Sequence, residues 1–98
     1  MVEIKVKDVK KGMENITLVL KVVSIGDVRT VNTKYGESKV ATAIVEDDTG
    51  RINLTLWRDQ INKIKEGDRI KIEGAFVREF RGELNLNVGK SGRITVLK

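Results

Sequence analysis

Hydrophobic and polar residues alternate along most of this chain, which is the pattern of β-strands that bury one face. The clearest run is 51–57, in which Ile52, Leu54 and Leu56 share one face and Trp57 falls on the other. Glycines and short charged segments separate the runs, and proline is absent. The pattern therefore predicts an all-β chain.

The same alternation predicts five strands, with a short helix between the third and the fourth. The first strand is long, from about Ile16 to Asn32, and it bends near Val22 and Val23, where the alternation slips by one residue. The elements that follow are a turn at 34–37, a strand over 38–46, a turn at 47–50, a strand over 51–57, a helix over 59–65, and strands over 68–80 and 84–88. Asp59 is a suitable N-cap for the helix, and Gly67 is placed to end it. Gly74 marks a bend at a barrel corner.

Three strands, a helix and two further strands, with a long bent first strand, are the layout of the OB fold, a five-stranded Greek-key barrel. An SH3-like barrel is the alternative, although it does not need the helix. The 98 residues fit one domain, 1–98, with a lead-in over 1–15, the barrel over 16–89 and a C-terminal extension over 90–98.

Composition narrows the possible functions. The chain has neither cysteine nor histidine, so we expect no disulfide, no metal site, no cofactor and no enzyme activity. No apolar run approaches the roughly 20 residues that span a bilayer, and no signal peptide is visible, so we expect a cytoplasmic protein. The acidic run at 46–48 is interpreted as a charged hairpin rather than a cation site. The net charge of +5 favours an anionic partner such as nucleic acid.

Aromatic residues are the main candidates for binding chemistry. Trp57, Phe76 and Phe80 all fall opposite the inferred core set, and Arg78 and Arg81 are next to them in sequence. Exposed aromatics stack on bases whatever the base sequence, and arginines pair with phosphates or lie over bases. Further candidates are Tyr35, Arg51 and Arg58, the cations Arg29, Lys34 and Lys39, and the outward-facing Asn85 and Asn87.

The alternative is that these rings are buried in the hydrophobic core, as aromatic side chains usually are. Alternation favours exposure most clearly for Trp57, whereas the face of Phe76 depends on the bend at Gly74. Three functions remain open on these residues: a single-stranded DNA-binding domain, an RNA-binding module, and a protein-interaction domain whose exposed aromatics hold a peptide.

The segments 43–57 and 64–72, which read AIVEDDTGRINLTLW and IKEGDRIKI, resemble the archaeal single-stranded DNA-binding proteins. That family is related to the OB domains of replication protein A and to the small DNA-binding subunit of a eukaryotic repair complex. The resemblance extends from the lead-in to about Gly89.

The resemblance implies non-sequence-specific binding of single-stranded DNA in replication, recombination and repair, with other replication or repair proteins as partners and a nucleoid-associated location. It also implies that Trp57, Phe76 and Phe80 are the stacking residues. The segment that carries Arg29, Val31 and Lys34 then lines the DNA groove. Asn87 stands where some relatives have a further aromatic. Many stand-alone members of the family carry a flexible tail, and residues 1–98 contain no such segment.

Overall fold

The backbone pairs into one sheet that closes on itself. A computed structural model describes the backbone of residues 2–97 and their side chains other than those of residues 2 and 90. The strands are β1 (Val2–Glu3), β2 (Ile16–Ile25), β3 (Arg29–Thr33), β4 (Gly36–Asp47), β5 (Gly50–Trp57), β6 (Arg69–Phe80) and β7 (Glu83–Leu97). Short 3-10 helices lie at Val6–Asp8 and Arg58–Asn62.

The barrel contains β2, β6, β7, β5 and β4 in that order, and it closes because β4 also pairs with β2. Neighbouring strands are antiparallel except β5 and β7, which run parallel. β1 and β3 add to the outside of this ring. The prediction of an all-β chain with a five-stranded barrel is therefore confirmed.

The interior is aliphatic and follows the predicted alternation. Ile52, Leu54 and Leu56 of β5 are buried, and the intervening residues of that strand are at least partly exposed. β6 continues the same pattern with Ile70 and Ile72 buried. Since side chains on a strand alternate between its faces, this core leaves the opposite face of β5 and β6 for other contacts.

The predicted first strand is wrong in its extent, because it breaks at 26–28 into β2 and β3. Within β2 the pairing with β4 shifts between Val22 and Ser24, which is the bulge that the slip in alternation predicted. β2 ends where Gly26 comes so close to the carbonyl of Thr42 that a Cβ on this glycine would lie 3.0 Å from the oxygen. β3 then forms a hairpin with β4 that projects from the barrel.

The predicted helix over 59–65 is also corrected. A shorter 3-10 turn spans Arg58–Asn62, and the residue before it is Trp57 rather than Asp59. The N–H of Lys63 closes the turn on the carbonyl of Gln60, after which the chain leaves the helix and Ile64 is buried in the core.

The predicted bend at Gly74 is confirmed. Gly74 has a φ of +68°, and the β6–β7 pairing shifts across it, between Glu73 and Ala75. A Cβ on Gly74 would lie 3.0 Å from the Cα of Gly92, so the two strands cross closely at this corner. Beyond the bend, Ala75 and Val77 are buried, which puts Phe76 between them on the outer face.

Candidate nucleic-acid interface

The outer face of the sheet formed by β4, β5, β7 and β6 carries the predicted aromatics, with Trp57 and Phe76 in adjacent rows and Phe80 two rows beyond Phe76. Residues that are directly paired across strands point to the same side of a sheet. Trp57 is paired with Val40, which is paired in turn with Arg29. The next row contains Thr55, Asn87 and Phe76, and the row after it contains Asn53, Asn85 and Arg78.

Trp57 and Phe76 line the same groove, whose volume is about 770 Å³. The hairpin turn at Lys34 and Tyr35 forms one wall of this groove, and Asn87 also lines it. Trp57 is half-buried, with the buried side chain of Val40 as its cross-strand neighbour on the same face. The aromatic rings are thus neither core residues nor fully free side chains.

Phe76 lies over backbone at one side of the groove. A Cβ on Gly89 would be 3.5 Å from Cε1 of the Phe76 ring, an ordinary van der Waals distance, so the ring lies against β7 at Gly89. The guanidinium carbon of Arg78 lies 5.2 Å from the centroid of the ring. The ring therefore has a cation beside it and a wall of backbone beneath it.

Phe80 lies at the far end of β6, where a tight hairpin leads into β7. Arg81 and Gly82 form its turn with φ angles of 53° and 81°, which is the left-handed geometry of a type I′ turn. The Phe80 side chain is 64% exposed, and the guanidinium carbon of Arg81 lies 5.1 Å from its ring centroid. Phe80 lies four positions after Phe76, which corresponds to about 13 Å along the strand.

The residues of the segment 29–34 differ in how far they are exposed on this surface. Val31 is half-buried opposite Ser38, and Arg29 is exposed in the row of Trp57. Lys34 lies 5.2 Å from the ring centroid of Tyr35, which is 80% exposed at the tip of the hairpin. The structure thus adds Tyr35 to the groove.

Two of the other candidate cations, Arg51 and Arg58, contact groups within the protein, and a third, Lys39, lies on another face. Arg51 pairs with Glu46 at 2.9 Å, at the end of β5 farthest from Trp57. Arg58 donates two hydrogen bonds from its guanidinium to the hydroxyl of Ser38, at 3.1 and 2.8 Å. Lys39 is exposed on β4, on the face opposite to that of Val40.

Gln60 is a contact residue that the sequence did not single out. Its side-chain oxygen accepts a hydrogen bond from the N–H of Trp57 at 3.0 Å, and its nitrogen donates to the carbonyl of Val88 at 2.9 Å. The indole nitrogen of Trp57 donates to Oδ1 of Asn87 at 3.4 Å. The bond from Trp57 to Gln60 is a local contact of the kind that an N3 glutamine makes with the N-cap backbone. No local pattern indicates the other two, because they join residues 28 and 30 positions apart.

The acidic run at 46–48 forms a hairpin turn whose groups are already bonded. Asp47 accepts hydrogen bonds from the N–H of Thr49 at 2.7 Å and from the N–H of Val6 at 2.8 Å. Across residues 2–97, no group of three or more acidic side chains is arranged to hold a metal ion. No helix in the same range is long and apolar enough to span a bilayer.

Comparison with known proteins places this chain in a family. The family described as "Single-stranded DNA binding protein Ssb-like, OB fold" matches residues 9–96. The chain belongs to this family. The OB fold predicted from the order of strands is therefore confirmed, and the SH3-like alternative is excluded.

Two relatives have similar sequences. A single-stranded DNA-binding protein, Ssb, of Saccharolobus solfataricus is 39% identical over 92 residues, which are 94% of this chain and 62% of that protein. Replication factor A of Methanothermobacter thermautotrophicus is 36% identical over 97 residues, covering 92% of this chain and 12% of the relative. The chain thus spans less than two thirds of either relative.

Solved structures share the fold. The OB domain of a Thermoplasma acidophilum protein has a TM-score of 0.86 and 27% identity, with 97% of this chain and 86% of that one covered. A replication protein A heterotrimer bound to single-stranded DNA has a TM-score of 0.77 and 20% identity, with 96% of this chain and 24% of that one covered. At that identity the second likeness shows the fold alone.

Proposed function

We propose that this protein binds single-stranded DNA without sequence specificity, by stacking bases on Trp57, Phe76 and Phe80. The observation that carries the proposal is the presence of these rings on one outer face of the β5–β7–β6 sheet, opposite the aliphatic core. A contiguous patch of apolar groups on a protein surface usually marks a binding site. Stacking contributes about 1–3 kcal/mol per base and accepts every base, since each has a π-face.

The geometry favours a single strand over a duplex. A strand that follows the groove meets Trp57 and Phe76 first and then reaches Phe80, about 13 Å farther along β6. Bases stack on separate rings only when they are splayed apart, as in an unpaired strand. Asn85 stands in the row of Arg78, between the rows of Phe76 and Phe80, within reach of base edges or sugars, and Asn87 lines the groove in the row of Phe76.

Phosphates are the second part of the proposal. Arg78 and Arg81 stand beside the rings of Phe76 and Phe80, and Lys34 stands beside Tyr35 at the groove wall. Arg29 extends the cationic border on β3, next to Val31. A strand bound here would release counterions, so the affinity would fall as salt rises.

The wider role follows from the relatives. We place DNA ahead of RNA because one matched relative is named a single-stranded DNA-binding protein and another a replication factor. By the same comparison we propose a role in replication, recombination and repair, with other proteins of those processes as partners. We further propose that residues 1–98 act as a single OB domain, without enzyme activity, in the cytoplasm and near the nucleoid.

A titration followed by intrinsic fluorescence tests the proposal, because Trp57 is the only tryptophan of the sequence. We expect oligo-dT to quench this fluorescence, a duplex of equal length to have little effect, and the oligo-dT affinity to fall as salt rises. An oligo-U titration compares RNA with DNA on the same rings. If oligo-dT changes neither the fluorescence of Trp57 nor the anisotropy of a labelled strand, the function is not this one.

A further inference from the structure

The backbone after Trp57 adopts a conformation that requires support. Arg58 has a φ of 53°, in the left-handed region that L-residues other than glycine seldom occupy. Such conformations are strained and persist only where surrounding contacts enforce them, often next to functional residues. At Arg58 the side chain itself supplies one such contact, because its guanidinium donates twice to the hydroxyl of Ser38, a buried residue of β4.

Gln60 supplies a second contact, at the backbone of Trp57. It accepts from the N–H of Trp57 and donates to the carbonyl of Val88, at 3.0 and 2.9 Å. One side chain thereby joins the end of β5 to β7 beneath the groove. This bridge fixes the position of the Trp57 backbone and the direction of its Cα–Cβ bond.

Asn87 supplies a third contact, at the ring. Its Oδ1 accepts from Nε1 of Trp57 at 3.4 Å. Stacking on a base does not use the indole N–H. Its hydrogen bond to Asn87 instead limits rotation of the ring about the side-chain bonds of Trp57. Gln60 and Asn87 therefore restrain the same tryptophan at its two ends.

We infer that Gln60 and Asn87 are positioning residues, which hold the indole of Trp57 in its stacking orientation before DNA arrives. The inference rests on the proposed function for its effect on binding. A ring that is already ordered loses less conformational freedom when a base stacks on it, so its stacking contributes more to the affinity. Asn87 thus acts through the indole and not through a base.

Two variants test this role. Asn87→Leu removes the acceptor at similar size, and Gln60→Leu removes the bridge. We expect each to weaken binding of a labelled oligo-dT about three- to ten-fold, the effect of one neutral hydrogen bond. In the free protein we expect each variant to weaken the near-ultraviolet circular dichroism band of Trp57 and to lower its fluorescence anisotropy.

The same substitutions made together with Trp57→Ala separate positioning from direct contact. With no indole to orient, Asn87→Leu should change the affinity by less than about two-fold. An unchanged several-fold loss in the Trp57→Ala background would show that Asn87 contacts DNA itself and would overturn the inference. A matched control is Asn85→Leu, on the same strand and face as Asn87 but one row farther from Trp57. It should leave the Trp57 spectra unchanged.

The spectra of the free protein keep the two proposals distinguishable. If the wild type binds no oligonucleotide, the proposed function fails, yet the Trp57 signals of the two variants still report whether the ring is held. If the wild type binds and neither Asn87→Leu nor Gln60→Leu alters these signals, the positioning role is wrong while the proposed function stands. Thermal melting of both variants verifies that they remain folded.

Discussion

Two tight hairpins of this barrel use their polar and aromatic groups in opposite ways. The β4–β5 turn bonds internally: Asp47 accepts from Thr49 and Val6, and Asp48 pairs with Lys5 at 3.1 Å. The β6–β7 turn instead presents Phe80, 64% exposed, beneath the guanidinium of Arg81. Groups already bonded within the protein stabilise the fold, whereas exposed groups remain available to a ligand. The first turn is therefore structural, and the second belongs to the proposed DNA surface.

The largest effect on binding is expected at the exposed hairpin. Phe80→Ala should weaken oligo-dT binding by about 1–3 kcal/mol, because one stacking ring is lost. The melting temperature should barely change, since the ring is mostly in solvent. The quenching of Trp57 measures the affinity, and thermal melting measures the stability. Phe80→Tyr keeps the ring and is the matched control; a loss of the same size in that variant would argue against stacking.

The opposite result is expected at the bonded hairpin. Asp47→Ala should lower the free energy of unfolding by about 1–2 kcal/mol, because the N–H groups of Thr49 and Val6 lose a charged acceptor. Oligo-dT binding should stay within two-fold of wild type. Asp48→Ala, next to it, removes only an exposed ion pair and should cost less than about 1 kcal/mol. Equal losses from the two variants, measured by urea unfolding, would contradict a specific role of Asp47.

Acid should weaken the bonded hairpin in a defined range. Partial burial raises the pKa of Asp47, but the bonds from Thr49 and Val6 outweigh it and hold this pKa below its ordinary value of 3.8. A lowered folded-state pKa stabilises the protein fully above the unfolded value, and this stabilisation is lost as pH falls through the folded value. We therefore expect the difference in unfolding free energy between wild type and Asp47→Ala to narrow below about pH 4. A difference that stays constant down to about pH 2 would show that the charge of Asp47 contributes nothing.

Some features of the fold can be predicted from the sequence because they depend only on neighbouring residues. Alternation over 51–57 placed Ile52, Leu54 and Leu56 inside and Trp57 outside, because the period of two in a strand assigns every residue to a face. The bend at Gly74 was equally predictable, since a glycine at the point where the alternation changes face indicates a barrel corner. These features depend on neighbours in sequence and on nothing distant.

Features set by distant contacts were not predictable. The break at 26–28 follows the close approach of Gly26 to the carbonyl of Thr42, a contact between segments that are distant in sequence. Beyond it, Val28 is 51% exposed and lies outside the core. The spacing of Ile61 and Ile64 fits an α-helix as well as the single 3-10 turn that precedes Ile64. The bond between Trp57 and Asn87 needs the parallel register of β5 and β7, which no local pattern encodes.

The smallest effect is expected from a single charge of the exposed hairpin. Arg81→Gln should lower the slope of log affinity against log salt by about 0.7, the value for one phosphate contact on a single strand. The affinity for oligo-dT should fall only a few-fold, because Phe80 still stacks. Lys7→Gln is the matched control: the N–H of Lys7 bonds to Thr49 beside the acidic turn, and its exposed side chain is not part of the proposed surface. Lys7→Gln should leave the slope unchanged. Equal slopes for Arg81→Gln and Lys7→Gln would mean that Arg81 in the β6–β7 turn makes no phosphate contact.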